Sequence, residues 1–246
     1  MRAIGIIPAR LQSSRLPDKA LIDISGLPMV VHTYKRAKLA KQLDEVYVAT
    51  DNELIRQTVE SYGGKVIMTG TRHQTGSDRI AEACRSIECD IVVNIQGDEP
   101  LVDPDHIDAI VMPLVKDPDI QISVGVTPYH KKNSASDIKA VLDLNDFILY
   151  CSRTDLPSDA RTPVTEMLKM CFVVPFRKEF LLKYTSWEPT PLETIEYNEY
   201  LRVLEHGVKI KAVRIDDARI SVDTPDDLKE VRRLMQKDHL KQKYIS

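Results

Sequence analysis

Cysteine is scarce in this sequence, and the few cysteines present form no pattern. The chain of 246 residues has four cysteines, and no two of them stand in a CxxC pair or at a spacing typical of zinc sites. This argues against a disulfide scaffold and against a zinc module. It indicates free thiols in a reducing compartment, and we therefore expect the protein in the cytoplasm.

A large charge of one sign and long apolar runs are missing as well. The formal net charge is −3, so no overall positive field points to DNA or RNA. No stretch approaches the roughly 20 apolar residues of a membrane-spanning helix, and the apolar run in MRAIGIIPAR is too short for a signal peptide. We therefore expect no nucleic-acid partner and no membrane partner, and any phosphate binding must come from a local cluster of cations.

Glycine is missing where a dinucleotide site would need it. The segment PARLQSS, which follows the first apolar run, contains no glycine. A Rossmann-type oxidoreductase would carry a GxGxxG turn there, and a P-loop would carry GxxxxGK[ST]. The sequence therefore argues against both kinds of nucleotide site.

What the sequence does have is an alternation of strand and helix patterns over its first half. Apolar or β-branched runs predict strands at 3–9, 45–50, 65–69 and 90–100. Periodic segments predict helices at 28–41, 51–64 and 77–87, with Pro28 as the first helical residue of one and Asp51 as the N-cap of another. This order predicts an α/β fold with a mostly parallel Rossmann-like sheet, which binds ligands beyond the carboxyl ends of its strands.

The second half is less regular and predicts a mixed-sheet lobe inserted into the α/β domain. Its strands are expected at 121–129, 139–143, 147–153, 170–177 and 209–215, and its helices at 193–207 and 224–240. The turn sequence LDLND predicts a hairpin, and the proline-containing segment 156–166 predicts a loop. We treat residues 1–246 as one domain, with the lobe within about 121–207.

Basic residues follow the first strand in the segment IIPARLQSSRLPDK. Arg10, Arg15 and Lys19 stand there with a single aspartate nearby, and a buried strand end is a poor place for unpaired positive charge. A loop of this kind can bind a chain of phosphates through main-chain N–H groups and side-chain cations. A solvated basic loop is the alternative interpretation.

Two aspartates are candidates for a metal site. Asp98, in QGDEP, follows the apolar strand IVVNI at its carboxyl end, and Asp223, in SVDTPDDL, precedes a threonine cap and is not explained by capping. Beside a triphosphate they would suit Mg²⁺, which binds through one or two carboxylates plus phosphate oxygens. The alternative is that both are local turn acids.

The segment HQTGSDR, residues 73 to 79, predicts a helix start whose N–H groups could bind an anion or the edge of a base. Arg79 lies in the first turn, where it opposes the helix dipole, and such a position is easier to understand if Arg79 contacts a ligand. A plain helix cap is the alternative.

Taken together, these segments resemble one family. IIPARLQSSRLPDKAL, VVNIQGDEPLV, WEPTPLE and SVDTPDDL are similar to motifs of the CMP-Kdo synthetases, or 3-deoxy-manno-octulosonate cytidylyltransferases, and the resemblance runs from Ile4 to about Leu234. It implies a nucleotide-diphospho-sugar transferase fold and a homodimer. It also implies a reaction in which CTP and the sugar acid Kdo give the CMP-sugar and pyrophosphate, for lipopolysaccharide synthesis.

The resemblance further implies roles for individual residues. It assigns the triphosphate to Arg10, Arg15 and Lys19. It assigns Mg²⁺ to Asp98 and Asp223, and catalysis to Lys19, Arg10 and Asp98. Contacts to the cytidine are implied for Ala9, Gln74, Ser77 and Arg79. Contacts to the sugar are implied for Gln96, Lys139, Arg153, Met170, Val174 and Tyr200.

Three of the sugar positions depart from the family. Where the family has a strand like HLGIYGYR, this chain has KMCFVVPFR at 169–177, so that a histidine becomes Met170 and a tyrosine becomes Val174. In the later helix, a glutamine becomes Tyr200. Sites built to bind a hydroxyl discriminate strongly, so the loss of polar partners predicts a changed sugar.

The candidate sugar is 8-amino-3,8-dideoxy-manno-octulosonate, because a protonated imidazole would repel its ammonium group. Ordinary Kdo is the alternative. A nucleotide-sensing module that does not need both aspartates and a CMP-sialate synthetase are further alternatives. The QGDEP and SVDTPDDL segments favour the octulosonate enzymes over the CMP-sialate synthetases.

Overall fold

The computed structural model describes residues 1–11, 16–217 and 220–245, which contain twelve β-strands, eight α-helices and two 3₁₀ helices. The strands are β1 (Ala3–Pro8), β2 (Asp23–Ile24), β3 (Leu27–Pro28), β4 (Glu45–Thr50), β5 (Val66–Met68), β6 (Ile91–Ile95), β7 (Ser123–Tyr129), β8 (Lys139–Leu142), β9 (Ile148–Ser152), β10 (Met167–Cys171), β11 (Val173–Arg177) and β12 (Lys211–Arg214). The α-helices are α1 (Met29–Ala37), α2 (Glu53–Ser61), α3 (Gly76–Cys84), α4 (Pro104–Lys116), α5 (Lys178–Tyr184), α6 (Pro191–Glu196), α7 (Tyr200–Glu205) and α8 (Pro225–Met235). The 3₁₀ helices are Lys19–Leu21 and His239–Lys243.

The chain forms two compact units. Unit 1 comprises residues 1–108 and 219–246, and unit 2 comprises residues 109–218. Unit 2 is therefore an insertion within the sequence of unit 1, with wider bounds than the 121–207 predicted for the lobe. That the whole chain acts as a single domain stays a prediction.

Four parallel strands of unit 1 run in the order β6-β1-β4-β5, as the alternating pattern predicts. Every residue of β6 is buried, and so are the first five residues of β1, which is why both read as continuous apolar runs. The strands end at Pro8, Thr50, Met68 and Ile95. Because the strands are parallel, the residues that follow these four positions emerge at one edge of the sheet. The prediction of a mostly parallel sheet is confirmed.

Side-chain capping explains where three helices of unit 1 begin, namely α2, α3 and α8. Thr75 and Thr224 each form a capping box, at the starts of α3 and α8. The predicted cap of α2 is wrong: the Asn52 side chain, and not that of Asp51, accepts from the N–H groups of the first turn. Pro28 is likewise outside α1, because it pairs with Asp23 in the short β2–β3 hairpin.

Helix α8 packs into the same core as the segment that follows β1. Eight buried side chains form one cluster: Leu16, Ile24, Met29, Leu101, Val222, Leu228, Val231 and Met235. The amphipathic pattern of α8 supplies three of them at helical spacing. This cluster ties residues 220–235 to the early loop, although they lie about 200 positions apart in the sequence.

A buried histidine gives unit 1 a dependence on pH. His32 is fully buried, with Nε2 2.6 Å from the Ile24 carbonyl oxygen and Nδ1 2.9 Å from the Tyr244 hydroxyl. Burial lowers the pKa of His32 from 6.5 to about 4. Unfolding restores the higher pKa, so protons bind preferentially to the unfolded chain between these pH values.

We expect the free energy of unfolding to fall by about 3 kcal/mol between pH 6.5 and 4 through this group. The substitution His32→Gln keeps a donor and an acceptor but does not titrate, and it should flatten this part of the profile. Urea unfolding at several pH values measures the effect. An unchanged slope in the variant would show that other groups cause the loss.

Unit 2 contains the mixed sheet, in the order β12-β7-β10-β8-β9. Strand β12 is parallel to β7, and the other neighbouring pairs are antiparallel. The predicted hairpin is present between β8 and β9, where the Asp143 side chain accepts from the N–H groups of Asn145 and Phe147. The prediction of a mixed-sheet lobe is confirmed.

Several elements of the second half differ from the prediction. Helices α4 and α5 were not predicted, and Pro113 lies inside α4, where proline normally argues against a helix. The strand predicted at 170–177 is divided at Phe172 into β10 and β11. The helix predicted at 193–207 is interrupted at Tyr197, whose φ of 52° ends α6 in the left-handed region.

Trp187 packs among aromatic side chains of unit 2. Its ring stacks on His206 at 4.0 Å between centroids and meets Phe180 and Tyr184 edge-on.

Over the described residues, no helix combines the length and the apolarity needed to cross a membrane.

Candidate active site

A cleft of about 330 Å³ lies at the edge of the sheet where the parallel strands end, and all its lining residues belong to unit 1. The lining residues are Pro8, Ala9, Arg10, Lys19, Ala20, His73, Gln74, Thr75, Gly76, Arg79, Gln96, Gly97, Asp98 and Asp223. The cleft therefore brings together most of the residues predicted for the nucleotide and the metal. Of the others, Ser77 is fully buried and does not line the cleft, and Arg15 lies outside the described residues.

Lys19 joins the two predicted metal ligands. Its Nζ lies 2.7 Å from Asp98 Oδ2 and 3.1 Å from Asp223 Oδ1. Lys19 begins a 3₁₀ helix, Asp98 follows β6 and Asp223 precedes α8, so three distant segments meet at one ammonium group. The two carboxylates thus lie close together, as the sequence predicts.

Three hydrogen bonds hold the segments of Asp98 and Asp223 in place. The Val222 N–H donates to the Asp98 carbonyl oxygen at 2.9 Å, and the Ser221 hydroxyl donates to the Glu99 side chain at 3.2 Å. The Asp227 side chain accepts from the Asp223 N–H at 3.1 Å. Asp227 therefore orients the segment that carries Asp223 as well as capping α8.

The carboxylates of Asp98 and Asp223 suit a divalent cation, because both already converge on a single positive group. Within residues 1–11, 16–217 and 220–245, no cluster of three or more His, Cys, Asp or Glu side chains could hold a metal ion. The other ligands of a magnesium ion here would have to come from substrate oxygens and water, as is usual for this ion.

The end of β1 contributes main chain as well as charge. The Ala9 N–H donates to the Ala49 carbonyl at 2.9 Å, so the group of Ala9 that can meet a cytosine amino group is its carbonyl oxygen. Arg10 is exposed and lines the cleft. Gly97 allows the loop after β6 to approach closely, since a Cβ there would lie 3.0 Å from the Pro8 carbonyl oxygen.

Arg79 has a structural partner that the sequence pattern did not reveal. It is almost fully buried, and its guanidinium donates to the Thr69 hydroxyl at 2.7 Å and to Asp51 at 3.1 Å. The Asp51 carboxylate offsets the unfavourable position of a cation in the first turn of α3. The position of Arg79 in the first turn is therefore explained without a ligand, although its side chain does line the cleft.

Three further lining residues, His73, Thr75 and Gly76, belong to the segment 73–79, whose helix start the sequence predicts to bind an anion or the edge of a base. His73 Nε2 lies 2.5 Å from a Glu82 side-chain oxygen. The capping box at Thr75 fixes this helix start beside the ends of the parallel strands.

Two of the predicted sugar contacts, Lys139 and Arg153, bind main-chain carbonyls within unit 2. Lys139 is fully buried, and its ammonium donates to the carbonyls of Ser134, at 2.6 Å, and of Arg153. Burial lowers the pKa of Lys139. The Arg153 guanidinium donates to the carbonyls of Glu196, at 2.8 Å, and Tyr197, at 3.0 Å. Both side chains hold loops of unit 2, and their role at a sugar stays a prediction.

The three departures from the family are all buried within unit 2. Met170 and Val174 are fully buried, and Tyr200 is nearly so. The Tyr200 ring stacks on Phe172, with centroids 6.0 Å apart and planes 17° from parallel. Phe172 is half-buried at the break between β10 and β11. An aromatic pair therefore adjoins the strands that carry Met170 and Val174.

The chain is similar to cytidylyltransferases over most of its length. A family model described as Cytidylyltransferase matches residues 4–210. The 3-deoxy-manno-octulosonate cytidylyltransferase of Geobacter metallireducens is 41% identical, over 94% of this chain and 96% of that protein. The mitochondrial 3-deoxy-manno-octulosonate cytidylyltransferase of Arabidopsis thaliana is 39% identical, over 97% of this chain and 85% of that protein.

Solved structures agree with this similarity. A structure of CMP:2-keto-3-deoxy-manno-octonic acid synthetase complexed with CTP superposes with a TM-score of 0.93 at 34% identity, covering 96% of this chain and 99% of that chain. A cytidylyltransferase from Leptospira borgpetersenii has a TM-score of 0.66 at 19% identity, covering 97% of this chain and 88% of that chain. The second structure supports the fold alone.

Proposed function

We propose that this chain, which belongs to the family of 3-deoxy-manno-octulosonate cytidylyltransferases, activates an eight-carbon 3-deoxy sugar acid with CTP, giving the CMP-sugar and pyrophosphate. The enzymes of this family are nucleotidyltransferases. The observation that carries the proposal is the cleft in which Lys19 joins Asp98 and Asp223 at the edge of the parallel sheet.

The geometry of unit 1 suits phosphoryl transfer of this kind. The C2 hydroxyl of the sugar attacks the α-phosphorus, a new O–P bond forms, and the bond to the β-phosphate oxygen breaks with release of pyrophosphate. Such a reaction needs positioning and neutralisation of charge more than covalent help. Lys19 and Arg10 would stabilise the negative charge on the phosphates, and Ala9, Gln74 and neighbouring groups of the cleft would position the cytidine.

Asp98 and Asp223 are the residues that would hold Mg²⁺. When bound, the ion would neutralise phosphate oxygens and lower the pKa of the attacking hydroxyl. Gln96, which lines the same cleft, is proposed to face the sugar acid. The product would serve lipopolysaccharide synthesis. The four free cysteines suit a reducing compartment, and we propose the cytoplasm as the location of the protein.

For the identity of the sugar we favour 8-amino-3,8-dideoxy-manno-octulosonate. Met170 and Val174 remove polar partners, and the Phe172–Tyr200 stack adds aromatic surface next to them. An ammonium group binds well to an aromatic face, whereas a hydroxyl loses its partners in such surroundings. Ordinary 3-deoxy-manno-octulosonate is the second candidate, since it appears in the names of the curated relatives.

One assay tests the reaction and the sugar together. Purified enzyme is incubated with CTP, Mg²⁺ and a panel of 3-deoxy sugar acids that includes both candidates and a sialic acid, and pyrophosphate release is followed. Sugar-dependent release with an octulosonate and CTP supports the proposed function, and its absence with every octulosonate contradicts it. If kcat/KM for 3-deoxy-manno-octulosonate equals or exceeds kcat/KM for the 8-amino sugar, the substrate is the unmodified sugar and our preference is wrong.

We also propose a homodimer formed through unit 2. Edge strand β9 and helix α6 lie side by side, because Glu196 accepts from the hydroxyls of Tyr150 and Ser152. Leu149 and Ile195 are exposed on these two elements. Exposed apolar groups on an edge strand suit contact with a second copy.

The substitution Leu149→Glu should therefore weaken the dimer by roughly tenfold or more, since it places a charge in an apolar contact. Sedimentation velocity over a dilution series measures the change. Leu54→Glu, at an exposed leucine on α2 of unit 1, is the matched control and should leave the association unchanged. If Leu149→Glu and Leu54→Glu associate equally well, β9 is not part of the dimer interface.

A further inference from the structure

The ammonium group of Lys19 occupies the place that a metal ion would need. It lies within hydrogen-bond distance of one oxygen of Asp98 and one of Asp223, the two residues proposed as magnesium ligands. The Lys19 side chain is only 15% exposed, so these contacts are partly shielded from water. Charge-assisted hydrogen bonds in such surroundings are among the stronger polar contacts in a protein.

The carboxylates are the fixed part of this arrangement and the ammonium is the movable part. Asp98 and Asp223 belong to segments joined by the hydrogen bond from the Val222 N–H to the Asp98 carbonyl. Lys19, by contrast, reaches them through a flexible four-carbon stem from a short 3₁₀ turn. A new partner for the ammonium could draw it away without disturbing the two carboxylates.

Charge decides which cation the carboxylates can accept. One ammonium balances part of the charge of two carboxylates, and a divalent cation at the same oxygens would repel that ammonium strongly in a partly buried site. A triphosphate changes the balance, because its oxygens offer Lys19 new partners and give the metal additional ligands.

We propose that Lys19, besides binding phosphate, keeps the metal site closed until CTP arrives. This inference rests on the proposed function, in which Asp98 and Asp223 bind Mg²⁺ and Lys19 binds phosphate. In the nucleotide-free enzyme Lys19 acts as a tethered cation in place of the metal. Binding of nucleotide and binding of metal are then positively coupled, and each raises the affinity for the other.

Metal binding to the nucleotide-free protein tests the proposal directly. Mn²⁺ serves as the probe, and its free concentration is followed by electron paramagnetic resonance during a titration without CTP or sugar. The variants Lys19→Met and Lys19→Gln remove the charge and keep much of the side-chain length. Each should bind one Mn²⁺ tighter than the wild type by roughly tenfold or more, because no ammonium competes.

Three comparisons make the result decisive. Lys19→Arg keeps a cation between the carboxylates and should bind Mn²⁺ as weakly as the wild type. The double variant Lys19→Met/Asp98→Asn should lose the gain. Thermal denaturation should show Mn²⁺ raising the Tm of Lys19→Met more than that of the wild type, which also verifies that the variant is folded.

The proposal is overturned if the wild type and both neutral variants bind Mn²⁺ equally well. It is also overturned if Lys19→Arg gains affinity as Lys19→Met does, or if the double variant keeps the gain. None of these measurements uses the sugar or CTP. A negative result in the Mn²⁺ titrations would therefore disprove only the role of Lys19 at the metal site. The proposed cytidylyl transfer is tested separately, by pyrophosphate release.

Discussion

Asp98→Asn should lower the rate of cytidylyl transfer by roughly 10²- to 10³-fold, the usual cost of losing one fixed electrostatic group at a reacting centre. The amide has nearly the same shape as the carboxylate and can still accept from Lys19, so the fold should be kept. What is lost is one of the two negative charges proposed to hold Mg²⁺. We expect the Mg²⁺ concentration needed for half-maximal activity to rise as well, and Asp223→Asn to behave in the same direction.

Pyrophosphate release at a series of Mg²⁺ concentrations measures both effects, with the Tm as a check on folding. The matched control is Asp226→Asn, three positions beyond Asp223, because Asp226 is exposed in the first turn of α8 and pairs with Lys229. Asp226→Asn should retain wild-type activity. An Asp98→Asn enzyme that keeps half or more of the wild-type rate would contradict the proposed metal site.

Arg202→Met should lower the free energy of unfolding by about 3–5 kcal/mol, because it leaves a buried carboxylate without its partner. Arg202 donates to both oxygens of Glu193, at 2.7 and 2.5 Å, and the two side chains are 6% and 10% exposed. A further bond runs to the Trp187 carbonyl at 2.9 Å. The hydrogen bond to Glu193 is the main cause of the raised pKa of Arg202.

Chemical denaturation of the variant measures this loss. The matched control is Arg233→Met, which removes an arginine from a solvent-exposed pair with Glu230 on α8. An exposed pair of this kind contributes at most about 1 kcal/mol, so the control should change stability little. Equal losses in the two variants would show that the contact with Glu193 is not the source of the stability. The double variant Arg202→Met/Glu193→Leu should recover part of the loss, since no charge then stays buried and unpaired.

Local patterns were sufficient for much of unit 1. The strands β1, β4 and β6 are continuous apolar or β-branched runs, and α8 carries a threonine cap followed by proline and two acids, so their type follows from periodicity and capping. The position of Asp98 pointed to the cleft because parallel strands place the residues that follow them at one edge of the sheet. Asp223 precedes α8 and is brought beside Asp98 by the hydrogen bond from the Val222 N–H.

Local patterns failed at several positions in the chain. Pro113 lies inside α4 and Tyr197 divides the helix predicted at 193–207, and neither outcome follows from the residues nearby. Arg79 looked unfavourable in its first turn because its partner, Asp51, lies 28 positions earlier in the chain. For Arg79 the deciding interaction joins residues far apart in sequence, and a pattern of neighbouring residues does not contain it.

The sequence by itself determined the alternation of strands and helices in the first half, the basic segment after β1 and the two aspartates that suit a metal, because each depends on the chemistry of a few adjacent residues. Only the tertiary structure decided that one ammonium joins Asp98 and Asp223, that Asp51 neutralises Arg79, and that Lys139 and Arg153 bind carbonyls within unit 2. A side chain's partner depends on which segments the fold brings within about 3 Å of it, and that distance is set by the packing of the whole unit.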